Sequence, residues 1–510
     1  MLTRRSAFKS IQWKPVDTLR LAGDSEAFLL ASKGSKSLLE KAQEKFGIPR
    51  AASPGARAIA PVPEQPQPSV LGPKDSAVEL LHAAAEIEHQ LLVEYLYAAY
   101  SLVDTSPRPD LVPDTTLRQW RGTLIGVAKE EMGHLLTVQN LLLCLDAAPY
   151  LGRISPASEG HSPFPFRLEP LSLVSLAKYV SAETPDPNTL DLATRNRAQP
   201  AYDLAKSSGF DITPVGLLYA HLYWLFQSGD GTEGPWALKD HLEFDMGHLS
   251  DDAFQVSNLE FQGSSDDWLT DPALPAQALG IFVSGVGNRA QALQALHDIS
   301  AQGEGLTSSL ELDSHFMRFL KLYEDIPRNP ENPGQILAGL VRPFPTDPVY
   351  GPQSAAAPPD RRITDPTSIQ WCEQFDLQYH LLLAEIALSL RMNSTMANNG
   401  RSTLASLAIM SEMKSNIAGI ARTLGSLPRS QGIPIGSACA APPFTEIDFP
   451  TDMRSAPAVA IWAKELVDAS NRHVASMRAS GLGSGADVFH APGSNDALDS
   501  SVLQPILNPH

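Results

Sequence analysis

The chain has 510 residues, of which 43% are hydrophobic and 19% charged, a composition typical of a folded globular protein of one to three domains. Its formal net charge of −18 argues against a nucleic-acid or anionic-membrane partner, because both require basic patches. The cysteines Cys144, Cys372 and Cys439 are too widely spaced for a disulfide framework or a thiolate metal site.

The N-terminal residues resemble a twin-arginine signal only superficially. Arg4 and Arg5 are followed by the mixed, polar stretch 10–20, and an export signal would require an apolar segment there. No run approaches the ~20 apolar residues of a membrane-spanning helix. We therefore expect a soluble, cytoplasmic protein.

Helical spacing dominates the chain and strand-like alternation is scarce, so the sequence predicts an all-α protein with one bundle that carries the chemistry. We expect five segments: an arm and linker (1–75), the bundle (76–325), a proline-rich connection (326–365), a helical extension packed on the bundle (366–430) and a C-terminal segment (431–510). The predicted helices are Lys33–Phe46, Ala77–Ser101, Thr116–Ala147, Ser172–Ala182, Pro214–Gln227, Leu238–Asn258, Arg289–Ala301, Ser308–Tyr323, Pro366–Met392, Ser402–Ser426 and Ala458–Met477. The tail beyond them has little periodicity and is expected to be loosely ordered.

Two predicted helices carry polar residues at the centre of their apolar faces. Glu88 lies in the apolar stripe of Ala77–Ser101, and Glu131 and His134 lie in that of Thr116–Ala147. A buried carboxylate needs a neutralising partner, and Glu-x-x-His places two metal ligands side by side on a helix. The structural alternative is a carboxylate that pairs with an arginine or is buried as a neutral acid.

Four further candidates follow along the chain. Glu183 ends the stripe of Ser172–Ala182, His221 shares a face with apolar residues, Glu304 stands between two glycines, and His315 lies on an apolar face. Each alone has a structural alternative, either a core histidine or an acid that caps a turn. One metal site accounts for all of them together, and carboxylates with imidazoles and no thiolate suit iron or manganese.

A second Asp/Glu-x-x-His pattern occurs later in the chain. Asp245-Met246-Gly247-His248 mirrors Glu131-Met132-Gly133-His134, and His241 falls on the same helical face. The sequence leaves open whether His241, Asp245 and His248 belong to a metal site or repeat the pattern by chance.

Taken in this order, the pattern resembles the ferritin-like superfamily, in which a helical bundle supplies Glu and Glu-x-x-His ligands to two metals. More narrowly, it is similar to the iminophenyl-pyruvate dimer synthase family, which includes enzymes that couple two tryptophan-derived imines in violacein- and rebeccamycin-type pathways. The matching pieces, within about residues 77–323, are Ile87-Glu88-His89, Glu130-Glu131-Met132-Gly133-His134, Glu183-Thr184-Pro185, Val215-Gly216 with Tyr219, Gln302-Gly303-Glu304-Gly305, and Ser314-His315-Phe316 with Arg318-Phe319.

The resemblance implies a ferritin-like bundle with two iron ions and an O₂-dependent oxidase or oxygenase of secondary metabolism, acting on a small amino-acid-derived or aromatic substrate. The implied alternatives are coupling of two imino acids, metal binding or storage without turnover, and a scaffold for a partner enzyme. A homo-oligomer is compatible with each. Glu131 and Glu304 would be catalytic, with Glu131 bridging or capping the metals. The implied ligands are Glu88, Glu131, His134, Glu183, His221, Glu304 and His315.

Two positions depart from the family pattern. Val93-Glu94-Tyr95 stands where Pro-Pro-Tyr is usual and adds an acid near the site, and Leu217 stands where an acid commonly follows the glycine of Val215-Gly216. If that acid is a ligand, either His221 or Glu183 substitutes for it here, or the site holds one metal.

Overall fold

The structure is a computed structural model that describes residues 72–153, 166–185, 190–210, 215–229, 234, 247–254, 261–263, 268, 281–304, 314–391, 404–405, 407–482 and 491–508. Its α-helices are α1 (Pro73–Ser101), α2 (Asp114–Cys144), α3 (Leu173–Ala182), α4 (Leu192–Ser207), α5 (Gly216–Phe226), α6 (Arg289–Ile299), α7 (His315–Asp325), α8 (Gln335–Ala338), α9 (Pro366–Ser389), α10 (Ala418–Leu424), α11 (Ala456–Ala479), α12 (Ala491–Leu498) and α13 (Gln504–Leu507). Shorter elements are the π-helices Ser300–Glu304, Leu407–Ile417 and Asp499–Leu503 and the 3₁₀ turns Asp251–Ala253, Pro352–Ala356 and Pro359–Arg361. Strands β1 (Val349–Tyr350) and β2 (Arg362–Ile363) pair in parallel. The predicted all-α class is confirmed.

Helix α1 is the central element of the fold. It begins at Pro73, whose missing N–H is not needed in the first turn of a helix. Every residue from Ile87 to Ser101 is buried, which is typical of a helix enclosed on all sides. Helix α2 packs along it, and α5 contacts it as well. Any polar residue in this half of α1 is therefore held inside the protein.

Two arginines cap the C-terminal end of α1. Nη2 of Arg121 donates to the carbonyl oxygens of Leu102 and Val103, 2.9 Å and 2.8 Å away. Nη1 of Arg342 donates to the carbonyl oxygen of Tyr100 at 3.1 Å. Cationic groups are favourable at a helix C-terminus because the last carbonyls carry partial negative charge. The end of α1 is thus fixed by two residues that follow it in sequence, one on α2 and one beyond α8.

The helices after residue 326 share their core with those before it. Helix α9 packs against α11, α10 and the π-helix Leu407–Ile417, and apolar residues from α1 to Leu503 belong to one hydrophobic core. The five-segment division of the chain stays a prediction.

The predicted helix Leu238–Asn258 is wrong over the part that the structure describes, residues 247–254. Only the 3₁₀ turn Asp251–Ala253 forms there. The reason is that the backbone N–H of Leu249 bonds to Leu225 O at 2.7 Å, at the end of α5, and so is not available for a helical bond. The predicted helix Lys33–Phe46 lies outside the described residues.

Helices form in three places where the sequence did not predict them, one of which is α8, inside the expected proline-rich connection. In α4, Asp191 caps the first turn by accepting from Thr194 N at 2.8 Å. Its buried face is made largely of alanines and Pro200 interrupts it, so its apolar periodicity is weak. The tail, expected to be loosely ordered, forms α12 and α13. Among the described residues no helix has the length and apolar character needed to cross a membrane.

Candidate metal centre

Four helical elements bring five of the candidate residues together in the core. Glu88 comes from the middle of α1, Glu131 and His134 from α2, Glu183 from the residue that ends α3, and His315 from the first turn of α7. The four residues other than His134 have no exposed surface, and His134 is 3% exposed. Three carboxylates and two imidazoles therefore share one water-excluded space.

Glu88, Glu131 and His134 form a first triad. Nδ1 of His134 lies 3.0 Å from Oε2 of Glu131 and 3.3 Å from Oε2 of Glu88. One ligand atom from each residue lies within 4.8 Å of the other two. The separation of three between Glu131 and His134 puts both side chains on one face of α2. The triad can hold one metal ion.

Glu131, Glu183 and His315 form a second triad. Nδ1 of His315 lies 3.0 Å from Oε1 of Glu131 and 3.6 Å from Oε2 of Glu183, and the three ligand atoms again lie within 4.8 Å of one another. Glu131 belongs to both triads, with Oε2 facing His134 and Oε1 facing His315. Its carboxylate lies between two possible metal positions.

Several ligand atoms lack the hydrogen bonds that buried polar atoms normally make. Within the described part of the chain, Oε2 of Glu88, Oε1 of Glu131, Oε2 of Glu183 and Nδ1 of His315 are buried and make none. Such atoms are costly unless a partner compensates them. All four point into the triads, so the donor set fits metal ions that would take up these lone pairs.

The outward-facing atoms of the same side chains are held by neighbouring residues. The hydroxyl of Tyr219 donates to Oε1 of Glu88, and that of Tyr95 donates to Oε1 of Glu183. Each carboxylate therefore has one oxygen fixed by a phenol and one oxygen left for the triad. Such outer contacts orient ligands and tune their basicity.

The two histidines are also held from outside. Nε2 of His134 lies 3.0 Å from Oε1 of Gln302, and Nε2 of His315 lies 2.7 Å from Oε2 of Glu130. Glu130 in turn accepts hydrogen bonds from Arg318. In both histidines Nε2 is engaged outside the triads, which leaves Nδ1 as the ligand atom.

Burial and mutual charge shift the pKa of every group in the two triads. Burial raises the pKa of Glu88 to about 7 and also raises that of Glu183. Burial would raise the pKa of Glu131 too, but the two histidines outweigh it and hold that pKa below its ordinary value. Burial disfavours charged His134, yet Glu131 and Glu88 raise its pKa to about 10. Protons thus occupy positions that a metal ion would take, because metal ligands bind deprotonated.

Of the remaining candidates, the structure describes the side chains of His221 and His248, and neither joins a triad. His221, on α5, is half-buried and belongs to neither of them. The backbone of Glu304 ends the π-helix Ser300–Glu304, and its side chain lies outside what the structure describes. Nδ1 of His248 lies 2.8 Å from the carbonyl oxygen of Trp224. His241 and Asp245 lie outside the described residues.

Sequence reasoning treated the outer contacts less fully than the ligands. Glu130 entered the sequence analysis only as part of a matching motif, and the structure pairs it with His315. Sequence reasoning did not assign a role to Gln302 or Arg318. The signal was present, since Glu130 precedes a ligand and Arg318 follows His315 by three residues on the same helix face. Glu94 joins neither triad and accepts from Arg167 N at 2.9 Å.

Part of the chain is similar to one family model and to two known proteins. Residues 81–324 match the family model described as ferritin-like. The chain is 29% identical over 129 residues to dichlorochromopyrrolate synthase of Lentzea aerocolonigenes. This match covers 21% of this chain and 13% of that protein. It is 31% identical over 151 residues to 2-imino-3-(indol-3-yl)propanoate dimerase of Chromobacterium violaceum. This match covers 26% of this chain and 15% of that protein. The chain therefore matches less than a sixth of either relative's length. No solved structure matches it significantly.

Proposed function

We propose that the two triads bind two iron ions and that the protein is an O₂-dependent oxidase or oxygenase, on the basis of the triads and of the match of residues 81–324 to the ferritin-like family model. Its substrate is a small amino-acid-derived or aromatic metabolite. The observation that carries the proposal is the shared carboxylate of Glu131, which offers one oxygen to each triad.

The donor chemistry suits iron, and the dependence on O₂ in the proposal is the reason to choose iron over manganese. Glu88, Glu131 and His134 would hold one ion, and Glu131, Glu183 and His315 the second. Carboxylate and imidazole without thiolate suit iron or manganese. Bound iron would supply the electron transfer to O₂ that protein side chains alone do not provide.

The chain's own residues hold the side chains of the two triads in position and keep water out of the site. Tyr95 and Tyr219 fix the outer oxygens of Glu183 and Glu88, and Glu130 with Arg318 fixes His315. Because the ligands are buried, water is kept from the site. A donor set held this way stays in place with or without an ion.

The relatives favour one narrower candidate. Both are enzymes, and the name of one states that it dimerises an imino acid with an indole side chain. Oxidative coupling of two imino acids is therefore our second candidate function. It differs from the first in its product, which would have about twice the substrate's mass and no added oxygen.

Iron stoichiometry tests the proposal directly. The protein would be loaded with ferrous iron without oxygen, freed of unbound metal, and measured by elemental analysis and Mössbauer spectroscopy. We expect about two coupled iron ions per chain, which oxidise when O₂ is admitted. Glu131→Ala should lose both, whereas Glu79→Ala, on α1 and outside both triads, should retain both.

Other outcomes point elsewhere. Many iron atoms per chain would indicate storage, and none would indicate a scaffold without a metal. Full iron occupancy in Glu131→Ala would refute the ligand assignment. If iron is bound, mass spectrometry of products from an indole imino acid distinguishes oxygenation from coupling.

A further inference from the structure

A cavity of about 450 Å³ lies beside α1, away from the two triads. Its walls come from α1 and the 148–153 segment on one side, and from α9 and the 446–453 segment on the other. Glu88 and His89 are consecutive, so their side chains point about 100° apart around α1. Glu88 faces the first triad and His89 lines the cavity. The size and the position between packed elements are typical of a small-molecule site.

A buried arginine lines this cavity. Arg153 is 9% exposed, stacks over the ring of Phe166 at 5.0 Å, and donates from Nη2 to the carbonyl oxygen of Phe444. Its Nε and Nη1 are buried and make no hydrogen bond. A guanidinium is always charged, so burying it without an anion is unfavourable. Among the residues that the structure describes, no ion pair with Arg153 forms, so a bound anion would compensate its charge.

A hydrogen-bonded pair fixes the wall next to Arg153. Nδ1 of His89 lies 2.9 Å from the carbonyl oxygen of Leu151, and since a carbonyl only accepts, Nδ1 carries a proton. Nε2 of His89 lies 2.5 Å from the hydroxyl of Tyr379. With His89 neutral, that hydroxyl donates its proton to Nε2. The oxygen of Tyr379 then presents its lone pairs to the guanidinium of Arg153, which opposes the rise that burial causes in the pKa of Tyr379.

The mouth of the cavity has the opposite charge. Glu446 and Asp448 line it and are exposed. Partial burial raises the pKa of Glu446 and the charge of Arg153 opposes that rise, so the two groups are within electrostatic reach. Leu383, Phe449 and Met453 supply apolar wall between them. A matching ligand carries a negative group inward, a positive group outward, and an apolar side chain.

We propose that this cavity binds a small zwitterionic amino acid with an apolar side chain, its carboxylate at Arg153 and its ammonium at Glu446. The site is separate from the two triads, so the inference does not rest on the iron proposal. A bound ligand would join α1 to α9 and to the 446–453 segment.

Isothermal titration of the full-length protein tests the site. The probes are L-phenylalanine, L-leucine and L-tryptophan, with 3-phenylpropionate (no ammonium) and 2-phenylethylamine (no carboxylate) as partial ligands. We expect at least one amino acid to bind saturably with one site per chain. The partial ligands should bind about tenfold or more weakly, because each leaves a charged group unpaired.

Variants separate binding from structural effects. Arg153→Gln should weaken binding about tenfold or more, and the exposed Glu446→Gln should weaken it without affecting folding. Arg197→Gln, which removes an exposed arginine on α4, should bind as the unchanged protein does. Circular dichroism and iron content of each variant show whether the fold and the triads persist.

Two results would overturn the proposal. One is the absence of saturable binding by all three amino acids. The other is binding whose affinity is the same in Glu446→Gln and Arg153→Gln as in the unchanged protein, with Arg153 then serving only to hold the 444 segment. Either result can occur while the protein still loads two irons, so it would leave the iron proposal standing.

Discussion

Nε2 of His315 lies 2.7 Å from Oε2 of Glu130, in a pair that has no equivalent at the other histidine. His134 faces the neutral amide oxygen of Gln302 instead. Burial would raise the pKa of Glu130, but His315 and Arg318 hold it at about 2, so the group is ionised at neutral pH. A carboxylate behind an imidazole makes the imidazole a stronger metal ligand. The second triad is therefore expected to bind metal more tightly than the first.

We predict that Glu130→Gln weakens metal binding at the second triad only. The amide can still accept from Nε2, but it lacks the charge that increases the basicity of His315. The dissociation constant should rise about 10- to 100-fold. Titration against a coloured iron chelator measures this, with Glu86→Gln as a control because Glu86 bonds to Tyr150 and lies in neither triad. Equal weakening at both triads would contradict the asymmetry.

Removing one ligand at a time should show how many iron ions each triad holds. Glu88 serves only the first triad and Glu183 only the second, whereas Glu131 serves both. Glu88→Ala and Glu183→Ala should each retain about one iron per chain, and Glu131→Ala none. Elemental analysis after anaerobic loading gives the counts, and a Mössbauer spectrum without coupling identifies the single iron. If Glu183→Ala kept two irons, another residue would have to complete the second triad.

The ligand helices could be read from sequence because polar residues interrupted otherwise apolar stripes. Glu88 and Glu131 stood out for that reason, and a buried acid has few explanations. Their division into two triads could not be read, because it depends on how α1, α2, α3 and α7 pack together. His221 has the same apolar setting but α5 does not bring it into either triad. Periodicity identifies the buried face, and only packing decides which buried residues meet.

The loops and weak helices were harder for a related reason. Helix α4 buries alanines, which differ little in hydropathy from their neighbours. Leu249 forms its backbone bond with Leu225, a contact between segments distant in sequence. Local patterns cannot anticipate either case. Where long apolar stripes exist, as in α1 and α2, prediction and structure agree within a few residues.

Gly133 allows another segment to approach α2 closely. A Cβ atom at this position would lie 2.5 Å from the carbonyl oxygen of Phe282 and 3.2 Å from Cγ2 of Ile281. Gly133→Ala should lower the free energy of unfolding by roughly 1–3 kcal/mol, because backbone must shift. Gly122→Ala, on the same helix with nothing within 4 Å, should raise it by up to ~1 kcal/mol. Urea denaturation of both variants tests this, and a stabilising Gly133→Ala would contradict the packing.

Stability should depend on pH through Glu94. Burial raises its pKa from 4.5 to about 8 in the folded protein, with Lys178 opposing that rise. Because the folded protein holds this proton more tightly than the unfolded chain does, Glu94 contributes its full stability below pH 4.5. That contribution is lost as the pH rises through 8.

The free energy of unfolding of Glu94→Gln should therefore rise relative to that of the unchanged protein as the pH rises. The change in this difference should be on the order of 3 kcal/mol between pH 5 and pH 8. Urea denaturation at the two pH values gives the difference. The amide can still accept from Arg167 N, so the variant isolates the proton. A constant difference across this range would mean that Glu94 titrates normally.

The hydrogen bond from Arg342 to the end of α1 links the helices of the two triads to the later part of the chain. Helix α1, which carries Glu88, is capped at its C-terminal end by Arg342. This residue lies seventeen positions beyond Asp325, the last residue of α7. Cutting the chain after α7 would leave the carbonyl oxygen of Tyr100 without that donor and would expose the side of α1 that contacts α9. The helices that carry the two triads are therefore expected to lose stability when they are separated from the part of the chain that follows α7.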